Sequence, residues 1–414
     1  MFKTRHTTCI LLAILFNPPL FAAEMQHEDA LMVNNTLTLH DLVEKALPHY
    51  PNSQLLAAKK RELEARQIQA NSFLPGSASV ILRNQNDVLL SRNGETEWEA
   101  GIEMPIWLSG QRAARAAIAD VSASNLNQDQ QLLHLQLAGM VRDALWDIEL
   151  MQGLYDIAEL KWTAAKQLEQ DVQKRVNLGD MAQKELFIAQ SETLLAENEN
   201  IAAQAEVQHA KFRYINLTGL REIPSIYAEQ KSTKLDVDES HPALLEANGK
   251  VALSNQMRNL TKIETRENPT VTIGTRSLRG ANDTQYNNSL GIILRIPLQS
   301  AVRNAPLQAA AETNYTQQQV NLSALKIMLA AAMHEAEHNL EVGEQQLNVL
   351  AKQQLIAQKS LHAVRTGFKL GEIELIEVMR AQTQAFNVDK NLKNQQIQQQ
   401  WNTARYNQAV GELP

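Results

Sequence analysis

The sequence predicts a mainly helical fold with a small β part, built from one unit used twice. Three observations predict it. At a constant offset of 192 residues, Pro105 falls on Pro297, Gly179 on Gly371, Ala189-Gln190 on Ala381-Gln382, Arg213-Tyr214 on Arg405-Tyr406 and Gly219 on Gly411. Apolar residues recur every three or four positions over most of the chain, and every second position in short stretches of each half. Hydrophobic residues make up 44% of the 414 residues and aromatics only 5%, a balance of long helices and not of a sandwich.

The elements follow in order. Lys3, Arg5 and His6, the apolar stretch Ile10 to Phe16 and the small pair Ala22-Ala23 predict a signal peptide over 1–23. The stretch is too short to span a membrane. Its Cys9 is the one cysteine of the chain, so the exported protein is expected to hold no disulfide and no thiol for a lipid anchor. The first repeat is then 24–219, a connector carrying Pro224 covers 220–240, and the second repeat is 241–414.

In residues 97–106 Trp98, Ala100, Ile102, Met104 and Ile106 alternate with Glu97, Glu99, Gly101, Glu103 and Pro105. That two-residue period is a strand with one apolar and one polar face. The second half keeps the phase with Leu290, Ile292, Leu294, Ile296 and Leu298. Partner strands precede each, from about Ser77 to Leu90 and from Thr270 to Leu278, with turn residues Asn93-Gly94 and Gly280 to Asp283 between. Each repeat is therefore expected to hold one β-hairpin, at about 77–107 and 270–298.

The rest reads as helix. Ile148, Met151, Tyr155, Ala158, Trp162, Ala165, Val172 and Val176 form a heptad seam broken at Glu169; Leu340, Gly343, Leu347, Leu350, Ala357, Leu361, Val364 and Phe368 repeat it, broken at Gln354. A second seam runs beside each, through Leu150, Ile157, Ala164 and Leu178 and through Val342, Val349, Ile356 and Leu370. Two adjacent seams suit a helix gripped from both sides, as in a ring of helices. The 65 residues from Arg112 to Val176 make a rod on the order of 100 Å at about 1.5 Å per residue. Gly179 and Gly371 end the rods, and Asp180 and Glu372 are expected to open the helices that follow.

A hairpin with one apolar face is not stable alone, and four strands cannot close a barrel. Strands of about ten residues, apolar outward and polar inward, match a bilayer-spanning barrel, which must be closed. Two chains would supply eight strands and three would supply twelve. The physical expectation is a homo-oligomeric tube, part β-barrel in a membrane and part coiled-coil α-barrel below it.

At this point the sequence resembles the TolC family of outer-membrane efflux channels, and most closely its CzcC-like, heavy-metal branch. The residues that carry the resemblance are Met104-Pro-Ile-Trp-Leu-Ser-Gly-Gln-Arg-Ala-Ala-Arg-Ala117, its repeat from Ile296-Pro297 through Arg303 to Ala305, the tip segments around Gly179, Glu185 and Ala189-Gln190 and around Gly371, Glu377 and Ala381-Gln382, and the Arg-Tyr and Gly positions that close each half. The likeness covers about residues 37–413. It implies a homotrimer with a 12-stranded transmembrane β-barrel in the bacterial outer membrane and a 12-helix tunnel in the periplasm. It implies docking at the helical tips to a periplasmic adaptor (membrane fusion) protein and an inner-membrane pump of the resistance–nodulation–division class. Heavy-metal cations are the cargo that the branch implies; export of drugs or proteins by the same architecture is the alternative, and a periplasmic coiled-coil adaptor or scaffold is the reading from another class. Many relatives carry a lipidated Cys that this chain is expected to lack, and Glu185 and Glu377 stand where relatives often have Asp.

Charge and motifs narrow the function further. A formal charge of −7 with no basic stripe argues against nucleic acid. A mean hydropathy of −0.32 with no apolar run near 20 residues beyond the leader argues against a polytopic helical membrane protein. His334-Glu-Ala-Glu-His338 satisfies a zinc-protease pattern, but it lies within a rod, and His362 would be about 36 Å further along a straight helix at about 1.5 Å per residue. It reads first as a polar patch and second as a metal contact. No catalytic set and no cofactor fingerprint stands out, so the chain is read as no enzyme, with no cofactor. Gly179, Asp180, Glu185, Gly371, Glu372 and Glu377 are the tip and gate candidates: Asp180 and Glu372 would form a ring of negative charge at the tunnel mouth, or simply complement helix dipoles. Glu97, Glu99 and Glu103 are the lumen-facing candidates, adding to a cation-friendly interior. Trp98 and Trp107 read as bilayer-interface residues or as buried packing.

Overall fold

A computed structural model describes residues 30–414; the expected signal peptide lies outside them. β1 (Met32–Asn34) leads into α1 (Leu39–Ala46), whose first turn is closed by a capping box between Thr38 and Asp41. α2 (Asn52–Asn71) follows, then β2 (Ser79–Asn86), β3 (Thr96–Pro105), the 67-residue α3 (Gln111–Asn177) and α4 (Gln183–Thr218). β4 (Glu222–Pro224) opens the connector and pairs in parallel with β1, a pairing too short for any periodicity to announce. Then α5 (Pro242–Ile263), β5 (Thr270–Arg279), β6 (Asn287–Arg295), the 69-residue α6 (Ala301–Lys369) and α7 (Leu375–Ala409) run in the order of α2 to α4 with its hairpin.

The strand boundaries differ from expectation at two places. β2 stops at Asn86, because Asn86 and Asp87 turn their side chains onto the backbone of Val88 and Asn93 and start the loop early. β6 stops at Arg295, three residues short of Leu298. The hairpins are also not separate: β3 pairs with β5 from Thr96–Arg279 to Pro105–Thr270, giving one antiparallel sheet in the order β2-β3-β5-β6. Both outer strands, β2 and β6, have a free edge among the described residues.

The helices make a second open layer. α3 packs against α4 and α7, and α6 against α7. The first heptad seam is the one that meets these partners: Ile148, Ala165, Val172, Ala357, Leu361 and Phe368 are buried. Its break at Gln354 is satisfied from α7, where Gln354 and Gln358 donate to the two oxygens of Asp389 at 2.9 and 2.8 Å. The second seam is only partly covered: Leu178, Val349, Ile356 and Leu370 are exposed, Ile356 to 68%, while Leu150, Ile157, Ala164 and Val342 are half-buried.

The main core lies at the level of α1, where Leu42, Ala46, Leu137, Val141, Leu145 and Tyr214 pack together. Here each repeat closes in the same way. Tyr214 donates to the Glu222 carbonyl at 2.5 Å, and Tyr406 to the Lys234 carbonyl at 2.6 Å. Gly219 and Gly411, both at positive φ, lie under the rings of His49 and His241, which are themselves 192 residues apart. Among the described residues no helix is long and apolar enough to cross a membrane.

Candidate functional site

Two regions bring the candidate residues together: the polar face of the sheet and the paired helical tips. On the sheet, the register sets Glu99 beside Arg83 of β2 and Arg276 of β5, Gly101 beside Ile81 and Gly274, and Glu103 beside Ser79 and Thr272. These residues share one face because side chains alternate along a strand. The opposite face carries Val80, Ile102, Ile273 and Ile292 in one row and Met104, Val271 and Leu294 in the next. Along β3 exposure follows the alternation, whereas β2 and β6 are exposed throughout. Trp98 and Ile102 are 53% and 51% exposed on the apolar face, while Glu97, Glu99 and Glu103 are half-buried on the concave polar face.

The acids of that face are not free charges. Arg276 donates to both oxygens of Glu97 at 2.8 and 2.9 Å, and Arg83 donates to Glu99 at 3.4 Å. Glu103 receives the Thr272 hydroxyl at 3.4 Å. Two of the three lumen-facing candidates thus carry an arginine partner on the same face. Arg276 was legible in principle, because it falls on the polar phase of its strand; the pairing required the β3–β5 register, which no local pattern supplies.

Trp107 stands at the junction between sheet and rod, where its indole donates to the Phe73 carbonyl at 3.0 Å and Arg115 lies 5.7 Å from the ring. Gln111 and Arg115 both donate to Glu264, at 2.7 and 2.8 Å, tying the start of α3 to the end of α5.

At the far end of the rods the two helical hairpins meet. Val172, Leu186, Phe368, Leu375 and Val378 form a small apolar core across all four helices. Each tip is closed by the same backbone motif. Gly179 (φ 82°) donates to the Val176 carbonyl at 3.0 Å and Asp180 to the Arg175 carbonyl at 2.9 Å. Gly371 (φ 80°) donates to Phe368 at 3.1 Å and Glu372 to Gly367 at 2.9 Å. This is the double bond of a Schellman cap, and it requires the left-handed residue that glycine supplies.

Asp180 and Glu372 therefore close the preceding helices and do not open the following ones, which begin at Gln183 and Leu375. The acids in the first turns are Glu185 and Glu377, where a negative charge complements the helix dipole. Glu377 pairs with Arg380 at 2.7 Å and Glu185 lies 3.6 Å from Lys184. Asp180 and Glu372 are exposed and make no ion pair among the described residues. Arg175 belongs to the tip motif read from the sequence, but its role in joining the tips is not legible there: it donates to the Phe368 and Lys369 carbonyls at 2.9 and 3.2 Å and stacks 4.5 Å from the Phe368 ring. Its targets are the last carbonyls of α6, of which Phe368 also accepts from Gly371, and no residue pattern marks them.

His334 and His338 are exposed on α6, with parallel rings 6.5 Å apart. Among the described residues, no group of three or more His, Cys, Asp or Glu is placed to hold a metal ion.

Comparison with known proteins gives this geometry a context. The outer membrane protein VceC from Vibrio cholerae superposes with a TM-score of 0.73 at 15% identity, covering 90% of this chain and 96% of that one. CusC, a protein studied for transmembrane channel formation, superposes at 0.72 with 16% identity, covering 92% and 94%. The fold is that of TolC-like outer-membrane channels. In sequence, Escherichia coli outer membrane protein TolC is 25% identical over 328 residues, 72% of this chain and 62% of its own length. The chain thus spans less than two thirds of that relative, and no family model matches it.

Proposed function

We propose that the chain is one wall segment of an outer-membrane efflux duct, a homotrimer that passes cargo out of the periplasm without catalysis or cofactor. One observation carries this reading: sheet and helical layer both have open sides, and the sheet's exposed face is apolar. β2 and β6 each leave a row of backbone donors and acceptors unpaired, which is prohibitive in lipid unless other chains close the ring. The exposed second seam on α6 asks for neighbours at the same places in the tube. Three copies of a four-stranded sheet make a 12-stranded barrel, and the channel-like fold supports that number.

In this tube the face with Glu97, Glu99 and Glu103 lines the lumen, and the tips with Gly179, Asp180, Glu185, Gly371, Glu372 and Glu377 form the periplasmic mouth. A periplasmic adaptor docks there and an inner-membrane pump supplies the energy. Residues 1–23 direct export, and the two repeats flank the connector at 220–240. Heavy-metal cations are the cargo that the sequence resemblance favours. Drugs or proteins are the second reading, favoured by the pairing of Glu97 with Arg276 and of Glu99 with Arg83, which removes two fixed charges that would select cations.

Deletion of the gene followed by growth on zinc, cobalt, cadmium, copper, silver, nickel and a panel of drugs tests the cargo. Sensitivity to metals is the expected result. Sensitivity to drugs alone moves the assignment to the second reading, and an unchanged profile contradicts export.

A further inference from the structure

We propose that His334 and His338 form a binding site for a divalent transition-metal ion on the flank of α6. The two residues are one helical turn apart, so their side chains rise from the same face. Their rings lie within 12° of parallel with centroids 6.5 Å apart, side by side and not splayed to opposite flanks of the helix. Both are exposed, and neither ring is hydrogen-bonded or ion-paired among the described residues. Other histidines are engaged: His134 with Glu44 at 3.1 Å, His40 with the Pro414 carbonyl at 3.2 Å, and His241 with the backbone N–H of Ala243 at 3.1 Å. The pair on α6 therefore keeps its nitrogen lone pairs available, and a modest rotation of each side chain brings two of them onto one ion.

The surroundings favour a cation. His334 borders a groove of about 480 Å³ between α6 and the connector, which Asp236, Glu239 and Glu337 also line. The groove's one lysine, Lys326, is already held by Glu239 at 2.7 Å. Asp236 and Glu337 thus leave a negative surplus in the groove that His334 borders, one helical turn from His338. Two imidazole ligands select copper, nickel or zinc over magnesium or calcium, which take oxygen donors. With two side-chain ligands per chain, water fills the other positions, and binding is reversible. The site does not depend on what the duct carries, because it is read as binding to the isolated protein.

Isothermal titration of the full-length, tag-free protein in detergent with Cu²⁺, Ni²⁺ or Zn²⁺ alone tests it. One ion per chain is expected, with copper bound most tightly. His334→Ala and His338→Ala should each weaken binding by about tenfold or more, the scale on which loss of metal-site partners acts. His362→Ala, which alters an exposed histidine elsewhere on α6, should leave it unchanged, and an excess of Mg²⁺ should not displace the ion. Unchanged circular dichroism shows that the variants keep their helices. Equal binding by the wild type and the double variant, or no binding by the wild type, overturns the site.

Discussion

Gly411 and Gly371 both sit in the left-handed region, yet their substitutions should differ in cost. A Cβ on Gly371 meets nothing within 4 Å, so Gly371→Ala costs about 1–2 kcal/mol for the backbone alone. A Cβ on Gly411 would stand 2.6 Å from the His241 ring, and Gly411→Ala should lower the melting temperature clearly further. His241 brings its own pH dependence. Burial holds its imidazole below the usual value of 6.5, Lys234 adds to the effect and Asp238 opposes it. The neutral form is therefore the one folded in, and its full contribution is present above about pH 6.5. As the pH falls below 6.5 the unfolded chain binds the extra proton first, so stability drops. Melting at pH 7.5 and at pH 5.0 checks this; His241→Asn, which keeps a cap acceptor for Ala243, should reduce the difference between them. Arg142 is 2% exposed and donates to both oxygens of Glu229 at 2.8 and 2.7 Å and to Gln408 at 2.7 Å. Arg142→Ala leaves Glu229 without its partner and should cost about 3–5 kcal/mol. The glycines of these sites were legible from the repeat offset, but the rings above them were not, because no pattern relates a residue at 49 to one at 219.

The rods and strands were legible because each has a strict period and its own stop signal. Heptad positions found their partners in α4 and α7, and Gly179 and Gly371 ended the rods where expected. The error at Asp180 and Glu372 has a simple origin. A Schellman cap consumes the residue after the glycine, so the next helix starts about three residues later than a glycine followed by an acid suggests. That shift means these acids are not spent on a helix dipole, and in the proposed duct they are left to set the charge of the mouth. Replacing both with their amides should reduce cation selectivity in planar bilayers; unchanged selectivity would remove the charged ring from the mechanism. Arg175 acts on the same element differently, binding the last carbonyls of α6 and so holding one tip to the other. Arg175→Ala should loosen the mouth and raise single-channel conductance, which the same bilayer recordings measure.

At the scale of the molecule, the sheet and the helical layer each have an uncovered side among the described residues. Average hydropathy concealed this, since the alternating segments are four short strands and about half of their residues belong to the polar phase. What showed it was the pairing of periods: two adjacent seams on the rods, and a two-residue alternation too long and too apolar for a free hairpin. The β3–β5 pairing that joins the two hairpins was not legible, because a register between strands about 170 residues apart leaves no local mark. Without that register the charge balance inside the sheet could not be read either. The most direct measurement is the native mass of the protein extracted from outer membranes in mild detergent. Three chains per particle is the expected result, with the β2 and β6 edges closed by copies of the same chain. A particle of one chain, or recovery of the protein only from the soluble periplasmic fraction, would contradict the duct.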